Sequence, residues 1–270
     1  MTSAPFLRTF ADDVSLQTPF DAAVVMPTTL RPSIYYALVS VFRQKLAGRV
    51  HVLVGIDRPD APPPDALAPV EAACAHRPAG WALQLYWPGY STSVRHGGLS
   101  PARDGGALRC VLTHLANSPY VAYLDDDNWW DEAHLASLLE TIEGRDWAFS
   151  LRWFVHPESK RPVCIDAWES VGPDAGVFKD TFGGFVDPNC LMLDKRRCEV
   201  AVAQWNRPLS HDPTGMSSDR NVFAALRQRR GAGTDRASAY YLVNPDDGLQ
   251  AFRLEMMGEA WHEAALGGPG

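Results

Sequence analysis

Three adjacent carboxylates, Asp125, Asp126 and Asp127, are the part of this sequence best suited to chemistry. They follow residues 120–124 (Tyr-Val-Ala-Tyr-Leu), a short apolar run that reads as a strand buried on both faces. Like charges placed this closely repel one another and resist desolvation. A divalent cation relieves both penalties, and hard oxygen ligands suit Mg2+ or Mn2+. In open α/β sheets ligands bind beyond the carboxyl ends of strands, which is where these acids fall. The competing explanation is an acidic turn before a helix, since Asp favours those positions too.

Such acids need a sheet to hold them, and the chain supplies one. Residues 22–26 read as a buried strand. Ser33 is placed to cap a helix whose inner face is Ile34, Leu38, Val41, Phe42 and Leu46, with Gly48 closing it. Residues 50–56 are a second strand, with Asp57 at its end. Strand, helix, strand predicts a parallel, right-handed unit. Residues 58–69 hold five prolines and read as a loop, 70–76 as a short helix, 82–87 as a third strand. Residues 89–103 are rich in Gly, Ser and Thr, and a loop that long is functional or mobile. A helix over 104–117, with Leu108, Val111, Leu112 and Leu115 inward, leads into the acidic strand.

Beyond Asp127 the spacing predicts helices over 132–143, 195–204 and 217–229. It predicts strands over 147–155 and 163–168, paired as a hairpin, and further strands over 189–193 and 240–243. Residues 1–20 read as a polar lead-in, and 267–270 as a disordered tail. No linker divides the chain, which predicts one domain with a seam just after Asp127.

Composition narrows the function. With 46% hydrophobic and 21% charged residues over 270 positions, the chain has ample core for an α/β domain. A net charge of −7 argues against nucleic acid as partner. Five cysteines without a Cys-x-x-Cys pair read as reduced thiols in a cytoplasm. Residues 1–17 do not read as a signal peptide, and no stretch approaches the ~20 apolar residues of a membrane span.

Taken in order, these motifs resemble the GT-A glycosyltransferases, most closely the inverting family 2. The resemblance runs from Ala22 to about Arg229. It rests on residues 26–31 (Met-Pro-Thr-Thr-Leu-Arg) after the first strand, on Asp57 ending the second, and on residues 124–129 (Leu-Asp-Asp-Asp-Asn-Trp) as a DxD signature. Residues 103–109 (Arg-Asp-Gly-Gly-Ala-Leu-Arg) resemble the family's basic helix start. Residues 182–194, opening Phe-Gly-Gly-Phe, resemble its acceptor loop, and Ser218-Asp219 stands where the family has a Glu-Asp pair. Two departures are the serine in that pair and Arg-Pro-Asp where the family has Asp-Gly-Ser after its second strand.

The resemblance implies a mixed, mainly parallel Rossmann-like sheet flanked by helices. It implies a nucleotide-sugar-binding lobe over 20–130 and an acceptor lobe over 131–265 of a single domain. The implied activity is metal-dependent transfer, with inversion, from a UDP-, GDP- or dTDP-sugar to a carbohydrate or other hydroxyl acceptor, in glycan or polysaccharide synthesis. Pro27, Thr28, Thr29 and Arg31 would wrap the nucleoside, with Arg31 on a phosphate. Asp57 would bond a base or ribose edge, unless it is only a turn residue. Asp125 would meet ribose and sugar, Asp127 with Asp125 the Mn2+ or Mg2+, and Arg103 and Arg109 the diphosphate, while Asp126, also counted with the nucleotide-sugar-binding residues, would back up the site or point away. Arg95 and His96 are candidates to close over the donor. Asp219 would be the base, although an Asp there is also an ordinary first-turn residue. Gly183, Gly184 and Trp129 would meet the acceptor, although buried aromatic area is the commoner use of tryptophan. His262 is a further, weaker metal candidate.

Three other readings compete. A sugar-phosphate nucleotidyltransferase would want glycines in the first loop, and residues 27–32 have none. A dehalogenase-type phosphatase carries its Asp-x-Asp on the first strand, not about the fourth. A non-catalytic nucleotide-sugar- or carbohydrate-binding module would not require an intact acid triplet.

Overall fold

The computed structural model describes residues 5–11, 14–102, 105–208 and 218–266. The first half runs β1 (Phe6–Phe10), β2 (Ala22–Thr28), α1 (Ile34–Phe42), β3 (Val50–Ile56), α2 (Ala68–Cys74), β4 (Ala82–Trp87), α3 (Gly106–Leu115) and β5 (Tyr120–Tyr123). The second half runs β6 (Trp129–Trp130), α4 (His134–Thr141), β7 (Trp147–Val155), β8 (Pro162–Ile165), β9 (Gly172–Pro173), α5 (Lys179–Phe182) and β10 (Gly184–Phe185). It closes with β11 (Leu191–Asp194), α6 (Glu199–Gln204), α7 (Asp219–Leu226), β12 (Gly231–Leu242), α8 (Gln250–Met257) and α9 (Glu259–Leu266).

One sheet carries the molecule, in the order β1-β4-β3-β2-β5-β11-β7-β12-β6, with β8 paired to β7. Strands β2, β3, β4 and β5 are mutually parallel. β2 and β3 are buried at every residue, which is why they read as unbroken apolar runs. β11 lies antiparallel between β5 and β7, and this insertion joins the halves on either side of the acids into one domain. The main core cluster extends from Ala22 in β2 to Ala239 in β12, and a smaller one gathers Phe154, Val243 and Met257.

Several elements differ from the sequence reading. The lead-in contains β1, an antiparallel edge strand on β4 whose residues are mostly exposed, so it carries no alternation. α1 ends at Phe42 without a side-chain cap from Ser33. There Gln44 Nε2 donates to Asp131 O (2.6 Å) and Lys45 N to Glu132 O (2.7 Å), which draws the chain out of the helix. In α3, Val111 and Leu115 are 53% and 50% exposed, while Leu108, Arg109, Leu112 and Thr113 face inward. The inward arginine meets Asp125, so the apolar stripe is rotated from its expected phase. β12 begins at Gly231, nine residues before the expected start at Tyr240, because a Cβ at Gly231 would meet the Trp147 ring at 2.2 Å. α8 and α9 close the chain where no helix was expected. No helix among the described residues is long and apolar enough to cross a membrane.

His134, the first residue of α4, is fully buried and stacked on Trp130 at 4.3 Å. Burial pushes its imidazole down to about 3, against the hydrogen bond with Ser238. A histidine lowered from 6.5 contributes stability that is present above that value and lost as pH falls toward 3. The expected slope is about 1.4 kcal/mol per pH unit within that window. Chemical denaturation from pH 7 to 4 checks it: His134→Phe should flatten this limb relative to the parent, and an unchanged limb removes the assignment.

Candidate active site

The three acids leave the end of β5 in different directions. Asp126 turns inward and is 1% exposed. It accepts from Thr28 Oγ1 and from Arg31 Nε (2.9 Å), so it fastens the loop after β2. Thr28 Oγ1 in turn accepts from Leu30 N (2.7 Å), which holds Leu30 at φ 64°, a costly region for a side chain bearing a Cβ. Asp127 stays at the cleft, 2.8 Å from Arg31 Nη1. Burial and the neighbouring Asp125 charge push its carboxyl up to about 6, against the pull of Arg31. Arg31 is itself partly desolvated, but its bond to Asp126 and the charges of Asp127 and Asp125 raise its pKa and keep it protonated. Asp125 pairs with Arg109 and makes two bonds with Asn189: its N–H donates to Asn189 Oδ1 (2.7 Å) and its Oδ2 accepts from Asn189 Nδ2 (3.0 Å).

These acids floor a cleft of about 360 Å³ at the carboxyl ends of β2, β3 and β5. Pro27, Thr28, Thr29, Arg31, Asp57, Arg109, Arg95 and His96 line it together with the three acids. The structure therefore brings together every described residue expected to bind the nucleotide sugar. Asp57 is buried and largely engaged: its Oδ1 accepts from Ser91 Oγ (2.8 Å) and Thr92 N (2.6 Å), its Oδ2 from Thr92 Oγ1 (3.2 Å). It thus anchors the loop that carries Ser93, Arg95 and His96 over the cleft. Gly105, at φ 73°, passes so close to the end of β2 that a Cβ would sit 2.4 Å from Pro27 Cβ. Arg103 lies outside the described residues.

A second cleft, of about 450 Å³, shares Arg95, Arg109, Asp125 and Asp127 with the first. Its far wall holds Asn128, Asp187, Asp219, Arg220, Tyr241 and the 244–249 loop. Asp219 opens α7, where its Oδ1 accepts from Arg220 N (2.6 Å) and its Oδ2 from Arg220 Nη1 (3.0 Å). The Arg220 guanidinium lies over the rings of Phe185 (4.0 Å) and Phe178 (4.7 Å), which fixes the pair at the cleft wall. Behind Asp187 lies a buried ion-pair chain. Arg152 joins Asp187, Asp166 (2.8 Å) and Glu169 (2.8 Å), and Arg253 joins Glu169 (2.7 Å) and Asp247 (2.9 Å). Burial and the Asp125 charge raise the Asp187 carboxyl, while Arg152 lowers it.

The three residues expected at the acceptor have structural explanations of their own. Gly183 caps α5 at φ 72°, where a Cβ would overlap the Arg227 guanidinium at 1.8 Å. Gly184 packs against the backbone of β9, so closely that a Cβ there would sit 2.2 Å from Gly172 O. Trp129 stacks on Tyr240 across β6 and β12, with ring centroids 5.6 Å apart and an 11° tilt. Neither glycine nor Trp129 is among the residues lining the two clefts. His262 lies in α9.

Among the described residues no three His, Cys, Asp or Glu side chains converge on a metal position. The described residues by themselves therefore do not build a dedicated protein cage. The donor set fits a different arrangement: a Mg2+- or Mn2+-type ion held by one or two carboxylates and completed by substrate phosphates and water. Asp127, raised toward neutrality by burial and by Asp125, is the group a cation would relieve most directly.

No family model and no curated protein sequence matches this chain. Solved structures do. TarS of S. aureus superposes with a TM-score of 0.57 at 17% identity, over 87% of this chain and 38% of TarS. The chain thus spans about two fifths of that protein. Residues 1–349 of TarS in complex with UDP-GlcNAc give a TM-score of 0.55 at 15% identity, covering 89% of this chain and 66% of that one. The mannosyltransferase PcManGT from Pyrobaculum calidifontis, in complex with GDP-Man and Mn2+, gives 0.55 at 14% identity, covering 93% of this chain and 66% of that one. At these identities the likeness shows the fold: a mixed, mainly parallel sheet flanked by helices in one domain, shared with nucleotide-sugar-binding proteins.

Proposed function

We propose that this protein is a glycosyltransferase that moves a sugar from a nucleotide-diphosphate sugar to an acceptor hydroxyl, with inversion at the anomeric carbon. The observation that carries the reading is the pair of continuous clefts meeting at Asp125 and Asp127. In this reading residues 20–130 form the donor lobe and 131–265 the acceptor lobe. The reaction belongs to glycan or polysaccharide synthesis of the family-2 kind, and a cytoplasmic setting agrees with five free thiols. Fold neighbours solved with UDP-GlcNAc and with GDP-Man and Mn2+ support the donor class.

Each part of the reaction has a residue to serve it. Thr28, Thr29, Arg31 and Asp57 hold the nucleoside end, with Arg31 and Arg109 the cations nearest the diphosphate. Arg103 belongs to this set by its place in the sequence. Arg95 and His96, on the loop anchored by Asp57, cover the donor and exclude water. Asp127 and Asp125 hold Mn2+ or Mg2+, which when bound neutralises charge on the leaving diphosphate. Asp219 takes the proton of the acceptor hydroxyl as its oxygen attacks the anomeric carbon opposite the departing group. Trp129, Gly183 and Gly184 serve the acceptor side by shaping it rather than by lining it.

A thermal-shift screen of UDP-, GDP- and dTDP-sugars tests the donor class, since a ligand at 100 times its Kd stabilises by about 2.7 kcal/mol. One of these donors should raise Tm with Mn2+ and do so much less with EDTA. Equal shifts with and without metal would remove the metal role. Binding without turnover, on any acceptor or water, would favour a binding module.

A further inference from the structure

Asn189 was not marked by its residue type, yet it grips one of the donor acids at two points. It lies in the short turn Pro188–Cys190, just before β11, and is 1% exposed. Its side chain uses both ends on Asp125: Oδ1 accepts the Asp125 backbone N–H (2.7 Å) and Nδ2 donates to Asp125 Oδ2 (3.0 Å). The remaining Nδ2 hydrogen goes to Asp187 Oδ1 (2.7 Å), which also accepts Asn189 N (2.8 Å). The amide therefore has one orientation available, because a flipped amide would set its NH2 against the Asp125 N–H and its oxygen against two carboxylates. Asp187 is held from behind by Arg152, and Arg152 by Asp166 and Glu169.

We propose that Asn189 is a positioning residue for Asp125: it fixes both the backbone and one carboxylate oxygen of that acid. Asp187 and Arg152 lock Asn189 in turn. The other oxygen, Oδ1, is left to Arg109 and the donor site. The consequence is that Asp125 meets a donor in one preset rotamer, which removes an ordering cost from binding. The inference rests on the donor reading above.

The test is calorimetry of UDP, GDP and dTDP with Mn2+ on the parent chain, on Asn189→Ser, and on both in an Asp125→Ala background, with thermal melts of all four. Asn189→Ser should weaken nucleotide binding about tenfold or more, the scale for losing a partner that orients a ligating group. In the Asp125→Ala background the same change should alter affinity by less than about twofold, while its effect on Tm persists; this non-additivity separates positioning from a purely structural role. Asp187→Asn, which keeps the shape but upsets the clamp, should move affinity in the same direction. Equal affinity of parent and Asn189→Ser, or an equal loss in the Asp125→Ala background, overturns the inference. Failure of the parent chain to bind any of the three nucleotides overturns the donor reading, and this inference with it.

Discussion

Arg152→Leu is expected to lower unfolding stability by about 3–5 kcal/mol, the scale of removing one partner from a buried ion pair. Arg152 sits in the middle of β7 and its side chain is 2% exposed. It is flanked by Asp166, Glu169 and Asp187, with side-chain exposures of 0%, 2% and 9%. Burial works against its charge, but these three carboxylates outweigh that and raise its pKa well above the usual value. Its guanidinium also lies 4.1 Å from the Tyr241 ring centroid. Leucine would leave Asp166 and Asp187 without their arginine and Glu169 with Arg253 alone among the described ion pairs. Domains of this kind retain only about 5–15 kcal/mol in all. Urea denaturation monitored at the tryptophans measures the loss, and a change under about 1 kcal/mol would mean the cluster relaxes by admitting water. Arg152→Lys should recover little, because one ammonium cannot meet three carboxylates in a planar fork.

The same cluster shows what could be read from the sequence and what could not. β2 and β3 were legible because central parallel strands are covered on both faces, leaving nothing but apolar residues to read. β1 was not, since an edge strand with mostly exposed residues has no buried face to produce a pattern. The start of β12 was hidden by Gly231, Ala232 and Gly233, which suit a loop alone and a strand only beside the Trp147 and Phe149 rings. The acids were legible because they are consecutive, so their crowding needs no knowledge of the fold. Asn189, Glu169 and Arg253 come from separate elements and meet their partners only in space. Arg152 did carry a signal: an arginine inside the largely apolar β7 must find buried partners, and the acids at 166, 169 and 187 were a nearby supply.

Asp219→Asn is expected to reduce turnover by roughly 10²-fold or more, the scale of a positioned general base, while leaving donor affinity nearly unchanged. The amide keeps the shape of the carboxylate and loses only the proton acceptor. Asp219 lines the second cleft and not the one that holds the loop after β2, so on the proposed reading donor contacts should not feel the change. Arg220 holds Asp219 at that wall through its N–H and Nη1, which an amide oxygen can still accept in part. The neighbouring acid on the same wall is a poorer candidate. Asp187 Oδ1 already accepts both Asn189 N and Nδ2, and its Oδ2 accepts from Arg152, so it is more fully engaged than Asp219, whose oxygens accept only from Arg220 among the described residues. Single-turnover assays with the donor found by thermal shift separate the chemical step from binding. Asp127→Asn should behave differently, weakening nucleotide affinity with Mn2+ as well as rate. The anomeric configuration of the product is an independent check, because an inverting transfer needs its base on the acceptor side and a retaining one does not. Near-parental turnover by Asp219→Asn would place the base elsewhere, and Asp212, which lies outside the described residues, would be the next acid to replace.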